Sequence, residues 1–236
     1  MIGPRRHLSE MMDDPSVNEE HVDRALKELS VINRWLGGFR VSRLGVRHLI
    51  NSLPVDRPVS VLDVGAGGSD LPKALARLDR RFDVTTLDVN FHACVRAGRE
   101  RPPATAVKGS AFSLPFHDRS FDLANISLFL PHCTEAEARK LLADLTRVAR
   151  QGIVINDLHR HAIAYAGIIM LTRILSRSPL VHNDAPVSVL RGFLRSEINA
   201  LLPPGFHSSA SISWHWAFSW CVCIPLTGRG NHGTGI

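Results

Sequence analysis

Val59-Ser-Val-Leu-Asp63-Val-Gly65-Ala66-Gly67-Gly68-Ser69-Asp70-Leu71 is an apolar run that breaks into three glycines within four residues and passes into helical sequence from Leu71 to Leu78. Strand, glycine-rich turn and helix in that order form a nucleotide-binding unit of open α/β sheets, since glycine lets the backbone approach a ligand closely. Asp88 ends the next apolar stretch, Phe82-Asp-Val-Thr-Thr-Leu-Asp88-Val89, about twenty residues beyond the loop, where a carboxylate accepts both hydrogen bonds of a ribose diol. Loop and acid together predict an adenosine-type ligand. A dinucleotide fits less well, because G-x-G-x-x-G wants glycine or alanine where Asp70 stands, at the position of close helix–strand packing.

Outward from this unit, the chain continues with a helix around Ala93 to Arg99, strands over 105–109 and 121–130, a helix over 135–149 and a strand over 152–158. Strands separated by helices imply right-handed crossovers and a mostly parallel, Rossmann-like doubly wound α/β sheet. Further on, Ile212, Trp214, Trp216, Phe218, Trp220, Val222 and Ile224 alternate with small or polar residues at period two. This predicts an antiparallel C-terminal strand, with no glycine or proline to mark the reversal. Upstream, Ser16-Val-Asn-Glu19 has the form of a capping box, followed by Val22, Leu26, Leu29, Trp35 and Leu36 at helical spacing up to Gly37-Gly38. A second helix from about Val41 to Leu53 stops at Pro54. Residues 1–55 are therefore expected to form a helical cap and 56–226 the sheet domain, with an insertion over 158–187 and a disordered tail over 227–236.

The chain carries 44% hydrophobic residues over 236 positions, enough for one sizeable domain. Its formal charge of +6 comes from scattered arginines rather than runs, which predicts a solvated basic surface and no nucleic-acid partner. The four cysteines match neither zinc spacing nor a disulfide framework, so no metal and a cytoplasmic location are expected. The sequence has neither an apolar leader nor a membrane-length apolar run, so a soluble protein without stable membrane insertion is expected.

Segments 61–71 (VLDVGAGGSDL), 85–89 (TTLDV), 109–132 (GSAFSLPFHDRSFDLANISLFLPH) and 152–158 (GIVINDL) together resemble successive motifs of class I S-adenosylmethionine-dependent methyltransferases. The Leu114-Pro-Phe-x-Asp-x-Ser-Phe-Asp-Leu123 run is the most specific, resembling small-molecule and quinone-type members. The resemblance implies S-adenosylmethionine as cofactor, with Asp63, Gly65, Ala66 and Gly67 on its methionine side, Asp88 at the ribose, and Val89, Ser110 and Ala111 at the adenine. Asn125 would begin the active-site rim. Two positions depart from the family pattern: Ser69 replaces a common glycine, and Ser110 stands where an adenine-binding aspartate is usual. A neutral hydroxyl accepts more weakly than a carboxylate, so modest cofactor affinity is expected.

Methyl transfer from a sulfonium is a direct displacement that needs alignment and, for some acceptors, a base. His132 follows the fourth strand, and His159 and His161 follow the fifth, beyond the carboxyl ends where open α/β sheets bind ligands. His132 and His159 are the candidate catalytic residues, the alternative being a helix-capping His132 and solvated loop histidines. Within the insertion, Ala162-Ile-Ala-Tyr-Ala-Gly-Ile-Ile-Met-Leu-Thr-Arg-Ile-Leu175 is apolar on more than one side, as a hydrophobic acceptor pocket or a homodimer seam would require. His182 and Asp184 form either a charged dyad or a polar turn before Pro186, with the turn favoured. Trp35 is expected in the core and Arg40 in solvent, the alternative being closure of both over the cofactor. The expected function is methylation of a small aromatic or polyketide-like acceptor at oxygen or carbon in secondary metabolism. The alternatives are a quinone-pathway carbon methyltransferase and a non-catalytic cofactor-binding partner.

Overall fold

A computed structural model describes residues 3, 5, 8–14, 16–51, 57–67, 71–99 and 104–226. Gly68, Ser69, Asp70, Leu53, Pro54 and the tail over 227–236, all singled out in the sequence, lie outside them. The N-terminal helices are α1 (Glu19–Trp35) and α2 (Gly38–Ile50). Asn18, not Ser16, caps α1, its side chain accepting from the Glu20 amide at 2.8 Å. A single left-handed residue, Gly37, divides the two helices, so α2 begins three residues before the expected Val41.

From there the chain alternates as expected through β1 (Val59–Val64), α3 (Leu71–Ala76), β2 (Phe82–Asp88), α4 (Phe91–Arg99), β3 (Thr105–Lys108), β4 (Phe121–Ser127), α5 (Glu135–Val148) and β5 (Ala149–Leu158). The stretch read as one strand to Leu130 leaves the sheet after Ser127, and Leu130–His132 is a 3-10 turn. Next come α6 (Ala162–Leu175), α7 (Pro179–Arg191), α8 (Arg195–Leu201), β6 (Ser211–His215) and β7 (Ser219–Pro225). The Val-His-Asn-Asp-Ala-Pro stretch is therefore helical rather than a turn, with Pro186 inside α7. Its helix runs past residue 187, the expected end of the insertion, and Gly192 parts it from α8.

The seven strands lie in the order β3-β2-β1-β4-β5-β7-β6, with β1 to β5 parallel and β7 antiparallel to both its neighbours, β5 and β6. The reversal falls at residues 216–218, between β6 and β7. One sheet face, carrying Leu62, Ala124, Ile126, Ile153, Ile155 and Val222, packs with residues of α5 and α8 in the largest core. The other, carrying Val61, Leu123, Val154, Cys221 and Cys223, is covered by α2 and α3. A third apolar cluster joins α1 to α6 and α7, so the N-terminal helix and the insertion make one cap. Trp35 is not part of a core: it is 78% exposed. On α6, Ile168 is buried while Ile163, Met170 and Ile174 face outward, which accounts for its apolar character on more than one side. Among the described residues no helix is long and apolar enough to cross a membrane, and no cluster of side chains would hold a metal ion.

Candidate active site

The carboxyl ends of β1, β2 and β4 converge on the glycine turn. Gly65 has φ +67°, and a Cβ there would lie 2.3 Å from the Phe129 ring, so both backbone and space demand glycine. Gly67, at φ +48°, donates its amide to Asp88 Oδ2 at 2.8 Å, and Asn90 donates to Asp88 Oδ1 at 2.8 Å. Each carboxylate oxygen keeps acceptor capacity for a ribose hydroxyl. Beside it Val89 is 65% exposed, an apolar face for a flat base. Ser110 Oγ accepts from the Phe112 amide at 3.2 Å, leaving its proton to donate, while Ala111 is buried.

A row of buried polar side chains runs from this turn beneath α2, on the sheet face that is otherwise apolar. In-register pairing puts Asp63 beside Asn125 and Ser127 beside Asn156. Asn125 Nδ2 donates to Asp63 at 2.7 Å and to Ser127 Oγ at 3.2 Å. Ser127 Oγ meets Ser42 Oγ of α2 at 2.7 Å, and Asn156 Nδ2 reaches Ser42 Oγ and the Gly38 carbonyl. Burial pushes the Asp63 carboxyl up to about 7, opposed by its Asn125 hydrogen bond and aided by the Asp88 charge. Asn125 Oδ1 and Asn156 Oδ1 are buried without a partner among the described residues. A site with a spare buried acceptor and a half-neutral carboxyl suits a cationic ligand. The ammonium and sulfonium of S-adenosylmethionine carry that charge, so the buried Asp63 carboxyl and the spare Asn125 acceptor are compatible with this cofactor.

Beyond the carboxyl ends of β4 and β5 the two candidate histidines have separate surroundings. His132 lies in the 3-10 turn held by Asp157, whose carboxylate accepts from the Leu130 and Leu158 amides. Its Nδ1 stands 3.6 Å from Glu10 Oε2, and Glu10 is buried against Ser188 and Arg191. His159 Nδ1 lies 3.1 Å from Trp214 Nε1. An indole N–H only donates, so Nδ1 accepts and the neutral ring carries its proton on Nε2. Burial, and then the charges of His161 and Arg160, hold His159 below the ordinary histidine value. His161 caps α6 through the Ile163 amide and stacks on Phe218, their centroids 4.9 Å apart. The alternative to that turn, a His182–Asp184 dyad, does not form either: His182 Nε2 pairs with the Ser176 carbonyl, and Asp184 accepts the Met11 and Met12 amides.

Several participants carried little sequence signal. Glu10 and Arg5 belong to an N-terminal segment with no periodicity, yet Arg5 donates to the Arg191, Leu130 and Cys133 carbonyls and lies 4.3 Å over the Phe193 ring. Ser42 and Asn156 were detectable as polar residues on apolar faces of a helix and a strand.

Sheet order, glycine turn and carboxylate together resemble those of class I S-adenosylmethionine-dependent methyltransferase domains. Residues 62–155 match the methyltransferase domain family. The chain is 34% identical over 117 residues to the demethylmenaquinone methyltransferase of Renibacterium salmoninarum, covering 50% of this chain and 46% of that one. It is 34% identical over 125 residues to the ubiquinone/menaquinone biosynthesis C-methyltransferase of Yersinia enterocolitica, covering 50% and 49%. The chain thus spans about half the length of the curated relatives it matches. Among solved structures, the plantazolicin methyltransferase BpumL in complex with SAH shares the fold, with a TM-score of 0.64 at 16% identity over 88% of this chain and 96% of that one.

Proposed function

We propose that this protein methylates a ring carbon of a small quinol-like acceptor, using S-adenosylmethionine as donor. The observation that carries the choice of acceptor is the locked ring of His159, which offers an Nε2 proton rather than a free lone pair. A donor suits an acceptor oxygen that is already an anion, and an ionised hydroxyl activates its ring carbon without a base to deprotonate that hydroxyl. The names of the two curated relatives point the same way, toward the quinone-type alternative rather than a secondary metabolite.

Bound S-adenosylmethionine would supply an electrophilic methyl carbon for the ring carbon to bond to, the thioether sulfur being displaced with the C–S electron pair. Asp63 and Asn125 orient the cationic end and Asp88 the ribose. His159 donates to the acceptor oxygen, and His132, backed by Glu10, accepts the proton that the methylated ring carbon releases. The α1–α6–α7 cap shields the acceptor from water.

The test is turnover of a short-chain demethylmenaquinol beside catechol, with the methylated atom identified. A carbon-methylated quinol is expected, and His132→Asn lowers kcat by about a hundred-fold with S-adenosylhomocysteine affinity kept. An oxygen-methylated catechol as main product favours the secondary-metabolite reading. Tight S-adenosylhomocysteine binding without transfer to either acceptor favours a binding partner.

A further inference from the structure

The β6–β7 reversal stands at the same end of the sheet as the glycine turn. Pairing of Leu158 with Ser219, and of Ser219 with His215, puts residues 216–218 beyond the carboxyl end of β5, and a Cβ at Gly37 would lie 3.7 Å from the Trp216 carbonyl oxygen. Gly38, the next residue, offers its carbonyl to Asn156, so the reversal borders the far end of the buried row that starts at Asp63. Phe218 anchors it: its carbonyl accepts the His159 amide at 2.8 Å, and its ring stacks on His161. The left-handed φ of +58° at Phe218 is one that a bulky residue keeps only where its surroundings fix it.

Of the three tryptophans on this hairpin, two are committed. Trp214 donates its indole N–H to His159 Nδ1, and Trp220 donates to the Phe193 carbonyl. Trp216 differs: it is 69% exposed, and among the described residues its N–H has no partner. Its ring centroid lies 6.3 Å from that of Phe218, which lies 6.3 Å from that of His159 on the other side of the contact. A fixed, exposed indole offers a flat apolar face and one donor at its edge, which is what an aromatic ring bearing oxygens can use. We propose that Trp216 is the specificity-determining residue of the acceptor site, its indole stacking on the acceptor ring and its N–H reaching an oxygen at the ring edge. The inference rests on methyl transfer to a ring acceptor beside His159 and adds the residue that selects the ring. Because indole is itself a fused bicycle, it overlaps a two-ring acceptor more fully than a single ring.

Anaerobic calorimetry of the whole chain saturated with S-adenosylhomocysteine, titrated with 1,4-dihydroxynaphthalene and with hydroquinone, tests it. The wild type is expected to bind the two-ring compound more tightly. Trp216→Ala should weaken that binding about ten-fold and bring the two affinities together, with S-adenosylhomocysteine affinity and Tm unchanged at so exposed a position. Trp216→Phe should recover most of the loss, since a phenyl ring still stacks. In turnover, Trp216→Ala should raise KM and spare kcat, the signature of lost binding rather than lost chemistry. Equal affinity of wild type and Trp216→Ala for 1,4-dihydroxynaphthalene overturns the inference, as does a wild type that binds neither ring or prefers hydroquinone. Weaker binding accompanied by a fall in Tm would mark Trp216 as structural and overturns it too. Ring binding that depends on Trp216 without methyl transfer keeps the ring contact and removes the reaction, whereas methyl transfer with an unaltered KM in Trp216→Ala does the reverse.

Discussion

Asp88 already accepts one amide on each carboxylate oxygen, from Gly67 and from Asn90, so its geometry is fixed before a ligand arrives. Asp88→Asn keeps the shape but puts a donor where two hydroxyls need acceptors. With hydrogen bonds to a charged group worth about 1.5–3 kcal/mol, S-adenosylhomocysteine affinity should fall by about 10- to 100-fold. A change within experimental error would remove Asp88 from the ribose site. Asp63 behaves differently, because burial pushes its carboxyl up to about 7. A cation bound beside it stabilises the carboxylate and lowers that value, so binding near neutral pH should release protons and strengthen as pH rises through about 7. Calorimetry near neutral pH in buffers of different ionisation enthalpy reads the protons directly, and uptake or no exchange would contradict the assignment. Asp88 stood out in the sequence from its place at the end of an apolar strand, and Asp63 only through the family resemblance. The protonation of Asp63 was not legible there, because it depends on α2 closing over the strand.

At the scale of elements, α2 lies close to the sheet because Gly45 has no side chain. A Cβ there would stand 2.6 Å from Val154 Cγ1 and 3.0 Å from Cys221 Sγ. Gly45→Val should overpack this contact at a cost of about 2 kcal/mol, lowering Tm by about 4–8 °C, and should disturb the Ser42 link to Ser127 and Asn156. An unchanged Tm would mean that α2 is free to shift. The sequence showed this helix as an apolar periodicity but placed its start at Val41, because a left-handed glycine between two helices reads locally as a longer break. Similarly, His182 to Pro186 has the composition of a turn, whereas packing of Leu180, Val181, Ala185 and Val189 against α1 makes it helical. Tertiary burial outweighed local preference there.

For the whole molecule, buried and ion-paired carboxylates set opposite pH limits. Burial pushes Asp63 and Asp157 each up to about 7, against a usual carboxylate value near 4. The folded state therefore binds their protons more tightly, and stability falls as pH rises from about 4 through about 7. Asp122, beside Arg57, and Glu197, beside Arg160, are held below their usual values despite burial, so what they contribute is lost as pH falls below about 4. Urea unfolding should show greatest stability at mildly acid pH between these limits. A maximum above pH 8 would mean that Asp63 and Asp157 are charged in the folded protein. The N-terminal strap adds a connection invisible to local patterning: Arg5→Ala removes donors to carbonyls of Arg191, Leu130 and Cys133 and should expose residues 8–14 to limited proteolysis.

The sequence alone determined the doubly wound sheet, the glycine turn, Asp88 and the antiparallel end, because each depends on periodicity or on residue types within a few positions of one another. Tertiary structure decided what surrounds them: the capping Asn18, the exposed Trp35, the Glu10 partner of His132, the indole that fixes the His159 tautomer, and the buried row from Asp63 to Asn156. Those contacts join residues far apart in the chain, and no local pattern encodes a distance across a fold.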